Sequence, residues 1–116
     1  MTMAHLFEGA RYVGEAQGDR LSYHVYKTDG AGYLVVSRSS QRSFNMNVVD
    51  VEAPEAIMKS FEGERLTTVR LRKSRKRPEL FGTSFLCLNA LYVMVALGRT
   101  HKLKLREGRA IVFKIR

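Results

Sequence analysis

The feature with the clearest chemical potential is a run of positive side chains between residues 70 and 77. Six of these eight positions are basic: Arg70, Arg72, Lys73, Arg75, Lys76 and Arg77. Like charges at this density repel one another, so packing does not explain the run, whereas phosphate groups bind guanidinium and ammonium groups well. We therefore interpret the run as a phosphate clamp, with a mobile, solvated loop as the alternative. If all six side chains contacted duplex phosphates, log affinity would fall against log salt concentration with a slope of about −5.

A second group of cations follows near the C-terminus. Its candidate binding residues are Lys102, Lys104, Arg106 and Arg109. The two groups make the charge distribution uneven: the chain carries +9, but residues 1–64 carry −3 and residues 65–116 carry +12. A face that binds a polyanion needs such asymmetry, because each neutralised phosphate releases condensed counterions. Alternating cations also keep a hairpin edge from pairing with other strands, which is the alternative interpretation of this second group.

The residues that could support catalysis do not form a recognisable site. Asp50 and Glu52 could hold a metal for phosphodiester hydrolysis, but neither a nearby lysine nor a third carboxylate completes the set. The three histidines lie far apart in the sequence: His5, His24 and His101. The single cysteine, Cys87, excludes a disulfide framework and a cysteine-based zinc site. We therefore predict a protein that is not an enzyme and has neither metal nor cofactor, with a nuclease based on Asp50 and Glu52 as a minor alternative.

Length and composition indicate one domain. A chain of 116 residues, of which 45% are apolar, can bury one core, whereas a second core would have too little surface to bury. The longest apolar stretch, residues 85–97, is too short to cross a bilayer, and the N-terminus lacks the pattern of a secretion signal. We expect a cytoplasmic protein, associated with the nucleoid if it binds DNA. The domain divides into a strand-rich part, residues 1–53, and a basic part, residues 54–116.

The first part has the pattern of four strands. Residues 11–16, 20–27, 33–38 and 43–51 are rich in Val, Tyr, Phe and Leu and are separated by short Gly-, Asp- and Ser-containing turns, one of them at residues 28–32. Loops this short predict an antiparallel β-meander. Exposed sheet aromatics would offer stacking positions for the bases of a single strand. The candidates for such stacking are Tyr23 or Tyr26, Tyr33 and Phe44.

The second part combines helices with a terminal hairpin. Pro54 opens a short helix, residues 65–77 fit either a helix capped by Thr67 or a strand that enters a basic loop, and Pro78 ends this segment. Residues 83–97 form the clearest helix, with Thr83 or Ser84 as its cap and Gly98 as its stop. This helix is apolar on almost every side, so we expect it to lie in the core or to form a homodimer interface through Phe85–Leu97.

The predicted hairpin joins residues 101–105 to residues 109–115 through a three-residue loop. This loop length places Leu103 opposite Ile111 and His101 opposite Phe113, which keeps apolar side chains on one face. It also gives Gly108 the left-handed position that three-residue hairpin loops favour.

From Pro54 onwards, the succession of short helix, basic segment, long helix and basic hairpin resembles the winged helix-turn-helix superfamily of DNA-binding domains. The resemblance covers residues 54–116 and concerns architecture. It implies that Thr83 and Ser84 approach the major groove and that Arg106 and Arg109, at the tip of the wing, reach the backbone or the minor groove. The long helix offers only Asn89 beyond its first two residues for reading bases, so we expect phosphate contacts to dominate.

These observations predict an α+β protein in which a β-meander precedes a winged-helix-like unit that ends in a hairpin. The expected partner is nucleic acid, with duplex DNA favoured over RNA, and the protein could serve as a transcriptional regulator or as the targeting module of a restriction or defence system. Two alternatives remain open: a dimeric interaction module for an acidic protein, and a binder of single strands or RNA through the sheet aromatics.

Overall fold

A computed structural model describes residues 8–30 and 32–116. Its first part is a four-stranded antiparallel sheet in the order β1-β2-β3-β4, which confirms the predicted meander. The strands are β1 (Arg11–Gln17), β2 (Ser22–Lys27), β3 (Tyr33–Arg38) and β4 (Phe44–Val49). Two positions considered in the sequence, His5 and Ala31 of the second turn, lie outside the described residues.

The second part contains four helices and three strands. The helices are α1 (Glu52–Phe61), α2 (Thr68–Lys73), α3 (Pro78–Phe81) and α4 (Ser84–Ala96). The strands are β5 (Arg65–Leu66), β6 (Thr100–Glu107) and β7 (Ala110–Ile115), which form a separate sheet in the order β5-β7-β6. The chain therefore has an α+β fold, as predicted.

The ambiguous segment 65–77 contains both of the expected structures. A two-residue strand comes first, and α2 then begins at a cap in which the Thr67 Oγ1 accepts the Arg70 N–H at 3.1 Å. Pro78, expected to end this segment, also begins a helix of its own, because its fixed φ angle and missing N–H suit the first helical position.

Helix α4 forms the centre of the core. Thr83 caps it by accepting the Leu86 N–H at 3.1 Å, and Gly98 follows it with φ +74°, so both predicted ends are confirmed. The meander packs on one side of α4, and the other helices and β6 cover the rest. At Gly14 of β1 a side chain would lie 2.8 Å from the Ala96 carbonyl oxygen, so only glycine permits this close approach. The apolar surface of α4 is thus largely covered by its own chain, except at Phe85 and Leu86 in the first turn.

The register predicted for the terminal hairpin is wrong. Ile111 pairs with Arg106 and Phe113 pairs with Lys102, and the pairing shifts between these two positions. The loop has two residues, and Gly108 takes the positive φ angle of +61° that such tight turns need.

The reason for the error is the third strand of this sheet. Phe113 also pairs with Leu66 of β5, and both side chains are fully buried. Because β5 supplies the apolar neighbour of Phe113, β6 can place the half-buried Lys102 on its other side, where a lysine stem tolerates partial burial. Because β5 lies outside the hairpin, alternation within the hairpin alone does not predict this register.

Candidate nucleic-acid interface

The basic loop, which we define as residues 70–77, comprises the last turn of α2 and the residues that lead to the start of α3. Leu71 is fully buried and fixes the loop to the core. Arg75 adopts φ +53°, a left-handed conformation that is uncommon for residues other than glycine. Four cations of the loop surround an open cleft of about 340 Å³ whose floor includes Pro78 and Phe81. These four cations are Arg72, Arg75, Lys76 and Arg77.

Two arginines of the basic loop are held by carboxylates. Arg70 forms an ion pair with Glu64, and its Nη1 donates to the Arg65 carbonyl at 2.6 Å. Arg77 bonds to Glu79, and its Nη2 also lies 2.9 Å from the Glu52 Oε2. The hydrogen bond from Arg77 lowers the pKa of Glu79, and the same bond raises the pKa of Arg77. Glutamate carboxylates hold these two arginines in place and partly neutralise their charge, so they attract a phosphate less strongly.

The other four cations of the loop have no acidic partner within the described part of the chain. Arg72 donates from Nη1 to the hydroxyl of Ser84 at 3.1 Å. The ammonium of Lys76 lies 5.2 Å from the centroid of the Phe61 ring. This cation–π contact leaves the lysine charge unneutralised, because the ring is uncharged. Arg75 and Lys73 are exposed. Phosphate oxygens would therefore meet positive groups that no carboxylate neutralises.

The C-terminal hairpin contributes a second group of cations at an open groove of about 430 Å³. Thr68 and Ser84, at the starts of α2 and α4, form one wall of the groove, and Arg106 and Arg109 form the other. Both arginines were expected at the hairpin tip, and the structure brings them to the beginning of the long helix.

Asp19 is the acidic residue that lines this groove. It comes from the β1–β2 turn and forms an ion pair with Arg106. The hydrogen bond from Arg106 is the main cause that lowers the pKa of Asp19, and Lys102 adds a smaller effect through its charge. The same bond raises the pKa of Arg106. Lys104 and Arg109 are exposed and have no carboxylate partner among the residues described.

A side-chain hydrogen bond joins the cleft of the basic loop to the groove of the hairpin. Arg72 lines the cleft, Ser84 lines the groove, and the two side chains are bonded to each other. The two depressions therefore adjoin, and we call their combined lining the basic surface. Its members without a carboxylate partner are Arg72, Arg75, Lys76 and Arg109.

The polar residues predicted along the long helix are placed differently from one another. Thr83 and Ser84 are exposed, although the Thr83 hydroxyl serves as the helix cap. Asn89 is only 4% exposed, and its amide donates to the Phe85 carbonyl at 2.9 Å within the helix. Asn89 therefore has a partner inside its own helix, and it also lines a cleft between α4 and the meander, so its contact with bases stays a prediction.

Two residues of the groove were not singled out in the sequence. Phe85, on the first turn of α4, is 59% exposed although the rest of the helix is largely buried. Asp19 is far from the hairpin in sequence, and only the folded chain brings it next to Arg106. An exposed aromatic in an apolar segment gives no sequence signal, since the pattern does not distinguish it from the core.

The aromatic residues of the meander divide between its two faces. Tyr23 stacks on Tyr92 of α4 at 4.3 Å between ring centroids, and Tyr33 packs against the core. Tyr26 lies on the outer face beside Tyr12, and Phe44, on the same face, is 63% exposed. Only part of the expected stacking platform is therefore exposed.

The residues considered for catalysis have structural partners. Asp50 accepts the Glu52 N–H at 2.8 Å, and the Glu52 carboxylate bonds to Arg77. Among the described residues no group of three His, Cys, Asp or Glu side chains is arranged to hold a metal. Burial raises the pKa of the Cys87 thiol to about 11, which makes it a poor nucleophile at neutral pH.

No protein-family model, curated protein or solved structure matches this chain. In the part of the chain that the structure describes, no helix is both long and apolar enough to cross a membrane.

Proposed function

We propose that this protein binds nucleic acid, with duplex DNA as the favoured target and RNA as the second, mainly through contacts to phosphates. The observation that supports the proposal is the Arg72–Ser84 bond, which brings the cleft of the basic loop next to the groove of the hairpin. Positive side chains on one continuous surface can follow a backbone whose charges recur at short intervals. Regulation of transcription and targeting in a restriction or defence system are roles that such a protein could serve.

The connectivity of the second part supports a winged-helix-like arrangement within this proposal. The elements α1, β5, α2, α4, β6 and β7 follow one another with only the short α3 inserted, and β5 lies beside β7. The small sheet thus ties the hairpin to the helical unit, and the hairpin takes the place of a wing whose tip carries Arg106 and Arg109.

The long helix differs from one that reads bases inside the major groove. The meander packs along α4, and the helix buries seven residues that include Asn89. The exposed first turn of α4 can approach the DNA backbone. The rest of the helix cannot enter the major groove, because the meander covers it. Phosphate contacts carry little sequence information, so we expect modest discrimination between duplex sequences.

Fluorescence anisotropy of labelled duplex DNA, duplex RNA and single strands, titrated at several salt concentrations, tests this proposal. Six exposed cations of the two groups have no carboxylate partner among the described residues, and contacts from all six would give a slope of about −5 for log affinity against log salt on duplex DNA. They are Arg72, Lys73, Arg75, Lys76, Lys104 and Arg109. A clear preference for single strands would move the site to the outer face of the meander. An absence of binding at low salt would indicate that the basic surface faces an acidic protein instead.

A further inference from the structure

The exposed ring of Phe85 separates two depressions in the surface. On one side lies the groove lined by Arg106 and Arg109, and on the other lies a second cleft of about 290 Å³ between α4 and the meander. Phe85 and Leu88 line both depressions. A group that crosses this ring therefore passes directly from the cationic groove into the second cleft.

The second cleft combines apolar side chains with hydrogen-bonding groups. Tyr92 and Leu88 of α4 provide apolar surface, and β4 contributes Asn45 and Asn47. Neither asparagine side chain has a hydrogen-bond partner within the described residues. An amide offers a donor and an acceptor at the same time, which is the combination that the edge of a nucleobase requires.

We propose that the second cleft binds one unstacked nucleobase, while the adjoining phosphates lie in the groove at Arg106 and Arg109. The inference rests on the proposed function and specifies its target: a duplex that contains an unpaired nucleotide at an end or a bulge. The base stacks on the Phe85 ring, and Asn45 and Asn47 bond to its edge.

A base that is already unpaired suits this site better than a paired one. Extruding a paired base requires the loss of its pairing and stacking, whereas an unpaired base loses much less. Stacking on an aromatic side chain strengthens binding by about five- to 150-fold per base. We therefore expect a preference of about tenfold for a duplex with one unpaired nucleotide over a fully paired duplex of the same length.

The experiment compares a fully paired duplex with the same duplex carrying one bulged 2-aminopurine. Anisotropy gives the two affinities, and 2-aminopurine fluorescence reports the environment of the base. In the wild type the bulged duplex should bind about tenfold more tightly, and binding should change the 2-aminopurine fluorescence. Phe85→Ala should remove the preference for the bulged duplex and the fluorescence change.

Phe44→Ala is the matched control, since Phe44 is also largely exposed but lies on the outer face of the meander. It should keep the preference; a loss in this variant would overturn the proposed cleft and place the base on the outer face. Asn47→Leu provides an independent test should Phe85→Ala fail to fold, and it should lower the preference as well. Equal affinity of the wild type for both duplexes overturns this inference alone, whereas no binding to either duplex also overturns the proposed function.

Discussion

The basic loop and the C-terminal hairpin have similar charge but use it differently. Among the described residues, the only loop cations that bond to a carboxylate or a backbone carbonyl are Arg70 and Arg77. Four of the seven cations in residues 99–116 do so. These contacts are Arg99 with Glu55, Arg106 with Asp19, Lys114 with the Gly63 carbonyl, and Arg116 with the Gly98 carbonyl at 3.3 Å.

The comparison shows that the number of cations in a segment does not give the number available to a phosphate. A cation bonded to a carboxylate must exchange one anion for another, so it releases less free energy on binding than an unpaired cation. The loop therefore dominates the proposed contacts, and the hairpin contributes mainly through Arg109 and Lys104.

The largest effect is expected at the scaffold that both groups share. Leu91 in α4 is fully buried, so Leu91→Ala should lower the free energy of unfolding by about 2–5 kcal/mol through lost burial and a cavity. Urea denaturation followed by circular dichroism measures this change. Val69→Ala, at an exposed position of α2, should change stability by no more than about 0.5 kcal/mol. A similar loss in both variants would contradict the central position of α4.

The next effect concerns the carboxylate in the groove. Asp19→Asn removes the partner of Arg106 and should raise the affinity for duplex DNA about two- to fivefold at low salt, because the hairpin then resembles the loop. Anisotropy at one fixed salt concentration measures it. Asp29→Asn, which removes the partner of Arg11 at 3.8 Å, should change the affinity less. Unchanged affinity in Asp19→Asn would show that Arg106 does not contact nucleic acid.

The same ion pair predicts a pH dependence. The folded-state pKa of Asp19 is lowered by Arg106, so the pair contributes stability at neutral pH and loses it as the pH falls through that lowered value. Asp19→Asn should therefore reduce the decrease in thermal stability between neutral and acidic pH. Identical stability profiles for the wild type and the variant would contradict an ion pair in solution.

The smallest effect is expected for one exposed hairpin cation. Arg109→Gln should flatten the salt slope by about one unit, since each phosphate contact contributes close to one unit on duplex DNA. Arg116→Gln, which removes the same charge from a side chain bonded to the Gly98 carbonyl, should change the slope less. Equal changes in the two variants would mean that total charge, and not position, determines binding.

Local sequence signals were sufficient for much of the fold. The turns of the meander and the Thr83 and Gly98 ends of α4 depend on residues close in sequence, so they were predicted from the chain alone. The hairpin register depends on β5, which lies far away in sequence, and its prediction was wrong. Pairing with β5 sets the register of the hairpin, which the alternation of apolar and polar residues within the hairpin does not determine.

For the candidate site, the sequence identified the cations but not their availability. Arg70 and Arg75 look alike in the sequence, yet only Arg70 forms an ion pair in the described structure. The burial of Asn89 and the exposure of Phe85 also arise from the way the meander lies on α4. These properties depend on tertiary packing, which cannot be predicted from residue types and their spacing alone.

The most direct test of the account compares the salt dependence of two triple variants that lose the same charge. The first replaces Arg72, Arg75 and Lys76 by Gln, and the second replaces Arg99, Lys114 and Arg116 by Gln. We expect the first to flatten the slope for duplex DNA by about three units and the second by less than about one unit. Equal flattening in both variants would contradict the claim that the unpaired cations of the basic loop form the binding surface.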